Sequence, residues 1–226
     1  FNFNKMNKLF RLTTIREGRV LTLSGWIVLL MTFGSVLFSI ALLIYPFLAP
    51  TKTVGGDILV VEGWFPDYVL KKVKDRFEKG PYKLLITVGK KYEVGHPLEQ
   101  YKSAAEAAAS RLHSQGVPLE KIIPVPITVY PRKDRTYYKA LVVKKRLDKM
   151  GFTNASIDVV SLGVHARRSW ILFEQAFLSV DVGVIAIKPK EYDPSRWWLF
   201  SAGVRNVISE SIAYLYARFI FSPPSK

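Results

Sequence analysis

From Leu23 to Leu48 the chain reads LSGWIVLLMTFGSVLFSIALLIYPFL, without one charged side chain. A bilayer hydrocarbon core of roughly 30 Å is crossed by about 20 apolar residues in a helix, so this run fills a membrane and a stretch beyond it. A secretory signal is the rival reading, because the preceding residues are basic. Its apolar region, however, runs to only about 7–15 residues and ends in small side chains. Here Tyr45, Pro46 and Phe47 stand where small residues would be required. The run therefore predicts an uncleaved transmembrane helix over residues 23–49.

Charge asymmetry around that helix sets its expected orientation. Lys5, Lys8, Arg11, Arg16 and Arg19 precede it against Glu17 alone, whereas Ala49 to Pro66 carries Lys52, Asp57 and Glu62. The positive-inside rule then keeps residues 1–22 in the cytoplasm and sends the rest outward from the inner (cytoplasmic) membrane, to the periplasm or its equivalent. The chain has no cysteine, which excludes structural disulfides, thiol nucleophiles and thiolate metal sites. Its net charge of +15 is spread along the sequence rather than clustered. Such spreading suits anionic lipid headgroups or an anionic ligand, and the expected topology argues against a nucleic-acid partner.

After a linker over 50–56 (PTKTVGG), short apolar runs alternate with helical patterns. Strands are predicted over 57–61, 83–88, 122–125, 157–162 and 182–187, with helices over 67–79, 98–115, 136–150 and 166–177. Strands apolar throughout and separated by amphipathic helices indicate a mainly parallel five-stranded sheet covered on both faces. The expected fold is a three-layer α/β/α domain over 57–226, preceded by one N-terminal transmembrane helix. In the tail, Val204, Val207, Ile208, Ile212, Leu215 and Phe219 recur at helical spacing, interrupted by Arg205, Glu210 and Arg218. That pattern predicts an amphipathic helix packed on the domain or lying at the membrane surface rather than a second span.

Open parallel sheets bind ligands beyond the carboxyl ends of their strands, where helix N-termini also present free N–H groups. The residues delivered there are Glu62, Gly63 and Trp64 after the first strand, Lys90 after the second, and Asp134, Arg135 and Thr136 after the third. The fourth delivers Gly163, His165, Arg167 and Arg168 in SLGVHARRSW. Arginine forks match phosphate or carboxylate, so this corner suits an anion. His165, Glu62 and Asp134 are the candidate catalytic residues, with His165 as general acid or base and a carboxylate to orient it. Arg168, Arg135, Thr136, Lys90, Gly63 and Trp64 are the candidate substrate-binding residues. The three histidines show no metal-ligand spacing, and the nucleotide and hydrolase motifs GxxxxGK[ST], GxSxG and HExxH are absent. No metal and no particular cofactor is indicated.

With these residues placed, the chain resembles the SanA/ElyC/YdcF family of mostly membrane-anchored envelope proteins. The resemblance covers about Asp57 to Phe221. It rests on DILVVEGW, LLITVG, Gly116-Val117-Pro118, DRTYYKA and the His165-x-x-Arg168 corner. Two departures stand out. The family's double glycine after strand two is Val88-Gly89 here, and its Asn-Thr-x-Glu-Asn segment appears as Arg135-Thr136-Tyr137-Tyr138-Lys139, keeping the threonine. The resemblance implies an envelope role near peptidoglycan, lipid carriers or surface polysaccharide. A nucleotide or S-adenosylmethionine-type ligand goes with a soluble relative, but an outward-facing domain does not ordinarily meet such cofactors.

Two functions follow as expectations. In one, the domain binds or processes an anionic envelope substrate, a glycan or lipid phosphate. In the other, it is a non-catalytic accessory subunit that docks a membrane protein complex.

Overall fold

The computed structural model describes residues 18, 21–129 and 131–223; the basic segment read over 1–22, apart from Gly18, Leu21 and Thr22, lies outside them. The chain divides into two compact units, one ending at Ile40 and one beginning at Ala41. Helix α1 (Leu23–Leu48) is the one helix among the described residues that is long and apolar enough to cross a membrane, its most apolar 18 residues having a mean hydropathy of 2.6. In the first unit its side chains are exposed almost throughout.

The second unit is an α/β domain. It holds β1 (Ile58–Glu62), α2 (Asp67–Lys79), β2 (Leu84–Lys90), α3 (Ala104–Ser114), β3 (Ile122–Ile127), α4 (Arg135–Lys149), β4 (Ile157–Leu162), α5 (Ala166–Ala176), β5 (Val182–Ile187) and α6 (Ser201–Leu215). All strand pairs are parallel, in the order β3-β2-β1-β4-β5. Side chains alternate across each strand, and the two faces build separate cores. Ile58, Val60, Ile157 and Val159 join α4 and α5 through Val143, Leu147 and Phe173, while Leu59, Val61 and Val160 join α2 and α3 through Val69, Val73 and Leu112. This is the three-layer arrangement that the apolar runs implied.

Three local departures from the sequence reading have physical causes. The second interstrand helix begins at Ala104 rather than Leu98, because Ser103 accepts from the Glu106 N–H and donates to the Glu106 carboxylate. That side-chain N-cap fixes the start. Lys102 before it adopts φ +60° and breaks the preceding turn. Strand β3 runs on to Ile127 through Pro124 and Pro126. These prolines lie two residues apart on an edge strand, so both missing N–H groups fall on the side away from β2.

The segment read as a linker is in part stitched to the sheet. Lys52 exchanges two backbone hydrogen bonds with Val184, each 2.8 Å, and Thr51 Oγ1 accepts from the Ala186 N–H. Val54 N–H donates to the buried Asp158, which also accepts from Tyr82 Oη, both at 2.9 Å. Gly183 makes room for that carboxylate, since a Cβ there would lie 1.9 Å from Asp158 Oδ1. The chain passes antiparallel along β5 and starts at its carboxyl end, so within this unit residues 41–50 lie on the ligand-binding side of the sheet.

Candidate functional site

Strand order reverses between β1 and β4, the place where an open α/β sheet leaves a crevice beyond its carboxyl ends. A cavity of about 1160 Å³ lies there. Glu62, Trp64, Lys90, Asp134, Arg135, Thr136, His165 and Arg168 all line it, so eight of the nine residues selected from the sequence come together. Gly63 does not. A Cβ at Gly63 would fall 2.4 Å from the Ala104 carbonyl oxygen, and one at Gly89 2.7 Å from the Ala105 nitrogen. These glycines admit the start of α3 against the ends of β1 and β2. Thr87 Oγ1 secures the same contact by donating to the Ala105 carbonyl at 2.8 Å.

The floor is a chain of charges reaching from β1 to α6. Glu62, 3% exposed, meets Lys139 Nζ at 2.9 Å and accepts from Trp64 Nε1. Its other oxygen stands 3.8 Å from His165 Nε2, an ion-pair distance too long for a hydrogen bond. On the far side of the ring, His165 Nδ1 lies 3.1 Å from Glu210 Oε1 and 2.9 Å from Arg168 Nη2. Arg168 closes a two-bond fork on Glu210, Nε to Oε2 and Nη2 to Oε1, both 2.8 Å, and its Nη1 reaches Thr136 Oγ1 at 3.3 Å. Gly163, at φ +52°, turns the chain into this corner, with Pro189 and the Tyr45 hydroxyl close against it.

These contacts set the charge states. Burial alone would raise the Glu62 carboxyl, but Lys139, His165 and Trp64 outweigh it and hold the group well below the carboxylate range. Glu210, also pushed up by burial, is brought down to about 2 by Arg168 and His165. Burial lowers His165, whereas Glu210 and Glu62 raise it and prevail over the opposing Arg168, leaving the imidazole above its ordinary range. Nδ1 is contested, because a guanidinium can only donate and a carboxylate can only accept. Protonated Nδ1 bonds Glu210; bare Nδ1 accepts from Arg168. His165 thus has a distinct partner for each state of Nδ1, and its Nε2 lies on the side of Glu62.

Two members of this floor were not selected from the sequence, and each carried a signal. Lys139 lies three residues beyond Thr136 and four before Val143, on the buried stripe of α4. It occupies the last position of the Arg135–Lys139 segment. Glu210 falls on the stripe Gly203, Val207, Glu210, Tyr214 and Ala217, whose glycine, valine and alanine are buried. A carboxylate at such a position requires a cationic partner. Asp134, expected to orient His165, instead accepts from Tyr216 Oη at 3.1 Å. Arg168, expected to hold substrate, has its fork occupied by Glu210.

The rim is different. Lys90, Arg132, Lys133 and Arg205 are exposed, line the cavity and have no ion-pair partner among the described residues. Asp134 and Glu191 are the acidic residues beside them. Among the described residues no group of three or more His, Cys, Asp or Glu is placed to hold a metal ion. The cavity can therefore attract an anion at its mouth and present it to a titratable imidazole below. No family model, curated protein or solved structure matches the chain.

Proposed function

We propose that this chain is a membrane-anchored envelope protein, a divergent relative of the SanA/ElyC/YdcF family, whose α/β domain faces outward and binds or processes an anionic substrate. The substrate class is a lipid-carrier-linked glycan or another polysaccharide or peptidoglycan precursor bearing phosphate or carboxylate. The observation that carries this reading is the excess of rim cations over a floor containing His165. An entering anion is drawn by Lys90, Arg132, Lys133 and Arg205. Below it, three cations (Lys139, Arg168 and protonated His165) face two carboxylates, so the floor favours negative charge while His165 keeps its proton. With Nδ1 held by Glu210, Nε2 is the nitrogen that gives or takes a proton at the substrate. Basic residues upstream of α1 support the outward orientation of the domain and retention at the inner membrane.

The alternative is a non-catalytic accessory subunit of a membrane complex, favoured by one feature. Arg168 and Lys139 are already matched to internal carboxylates, as in a structural core. His165→Gln separates the readings, because it keeps approximate size and polarity but removes the proton carrier. Expressed in cells lacking the wild-type protein, the folded variant loses envelope function, read as detergent sensitivity, if the domain is an enzyme. Full function with wild-type thermal unfolding would assign His165 to structure and leave the accessory reading.

A further inference from the structure

Helix α6 has two opposed faces with different neighbours. One packs inward: Val207 joins Tyr45, Leu48, Val164 and Tyr192 in a small core, and Glu210 completes the floor of the cavity. The other carries Ile208, Ile212 and Leu215, and Phe219 in the turn that follows extends it, at spacings of four, three and four residues. All four side chains are between 51% and 75% exposed. The π turn Tyr216–Ile220 continues this stripe with Ile220. Just before α6, Leu199 and Phe200 are also exposed. A contiguous apolar strip of this kind on a domain surface marks a partner.

The residues that pack on the inner face identify the partner. Counted from Leu23, a hydrocarbon core of roughly 30 Å takes up about 20 residues, so α1 leaves it near Leu42. Tyr45 and Phe47 follow at the depth where aromatic rings gather. Both belong to the α/β unit and touch it directly: Phe47 meets Tyr214 of α6 edge-on at 5.3 Å, and Tyr45 meets Tyr192 at 6.2 Å. Trp197 Nε1 donates to the Ala41 carbonyl at 2.9 Å. Helix α6 is therefore braced on the segment of chain that emerges from the bilayer, with Arg205 and Arg218 exposed along it to meet phosphate headgroups.

We infer that α6 lies in the outer membrane–water interface of the same bilayer that α1 crosses, with Ile208, Ile212, Leu215 and Phe219 inserted among the acyl chains. The helix then forms a wall between cavity and lipid, and Arg205 brings the cavity mouth to headgroup level. This placement rests on the proposed anchoring by α1, and not on what the cavity binds.

The chain has no cysteine, so single probes are placed without background. Ile212→Cys, Phe219→Cys and, as control at the amino end of the sheet, Lys121→Cys are labelled with an environment-sensitive nitrobenzoxadiazole dye. The full chain is reconstituted in phosphatidylethanolamine–phosphatidylglycerol vesicles with or without doxyl-labelled phosphatidylcholine. The inference predicts blue-shifted emission and at least about twofold doxyl quenching at 212 and 219, with none at 121, as for an interfacial helix. Quenching at 212 and 219 no greater than at 121 overturns it. Blue-shifted but unquenched probes also overturn it and assign the stripe to a second copy or another protein.

Discussion

Glu210→Gln tests the charge chain at its most connected point. The carboxylate accepts two bonds from Arg168 at 2.8 Å and stands 3.1 Å from His165 Nδ1, with side chains only 22% and 18% exposed on Arg168 and Glu210. Removing one partner of a buried pair costs about 3–5 kcal/mol. Glutamine keeps one charge-assisted acceptor and the pair is not fully enclosed, so about 2–3 kcal/mol is expected. Moving a carboxyl from 4.5 to about 2 corresponds to roughly 3 kcal/mol, in agreement. In a domain of this size that lowers Tm by about 5–10 °C. The sign differs at each end of the pH scale. Glu210, held low, stabilises fully above its unfolded value of 4.5 and loses the effect as pH falls through about 2. His165, held high, stabilises fully below 6.5 and loses the effect as pH rises through its folded value. The wild-type advantage is therefore greatest between about pH 4.5 and 6.5 and declines on both sides. Denaturant unfolding of the full chain in detergent, with NMR titration of His165, measures both. A variant within about 0.5 kcal/mol of wild type across that window, or an unmoved His165 titration, would refute the coupling.

Three further outcomes follow from other parts of the fold. Gly183→Ala sets a methyl group 1.9 Å from Asp158 Oδ1, so it destabilises by about 2–3 kcal/mol and releases the 51–54 segment, seen as faster amide exchange at Val54. Gly163→Ala forces φ +52° on a residue with a Cβ and presses on Pro189, lowering stability by about 1–2 kcal/mol and disordering the His165 corner. A reporter enzyme active only outside the cytoplasm, fused after Lys226, is active if α1 is the single crossing; activity when inserted near Gly95 but not after Lys226 would make the tail a second span.

Much of the fold was legible because its signals are local. The bounds of α2, β4, β5 and the apolar run of α1 follow from periodicity and from Gly80 after α2 and Gly163 after β4. The convergence of Glu62, Thr136, His165 and Arg168 was legible too, since a parallel sheet collects its strand ends on one side. What the sequence did not disclose was pairing across the fold. Nothing local says that Lys139 reaches Glu62 or that Glu210, 42 residues beyond Arg168, fills its fork. Both were hidden in helical stripes read by their apolar members. The tail helix shows why: Ile208, Ile212, Leu215 and Phe219 had the period of a buried face, yet the domain buries the stripe of Gly203, Val207 and Ala217. Small residues admit close packing, and the larger ones were left outside.

Equilibrium binding of farnesyl phosphate, compared with neutral farnesol, to the full chain in detergent micelles tests the anion site most directly. The same titration is run on the combined variant Lys90→Ala, Arg132→Ala, Lys133→Ala and Arg205→Ala. At about half to one kcal/mol for each exposed cation, the variant binds the phosphate at least about tenfold more weakly, and salt narrows the difference. Farnesol binding is unaffected, and the wild type prefers the phosphate. Equal binding of phosphate and alcohol, or of phosphate by wild type and variant, would contradict the assignment of this cavity to an anion.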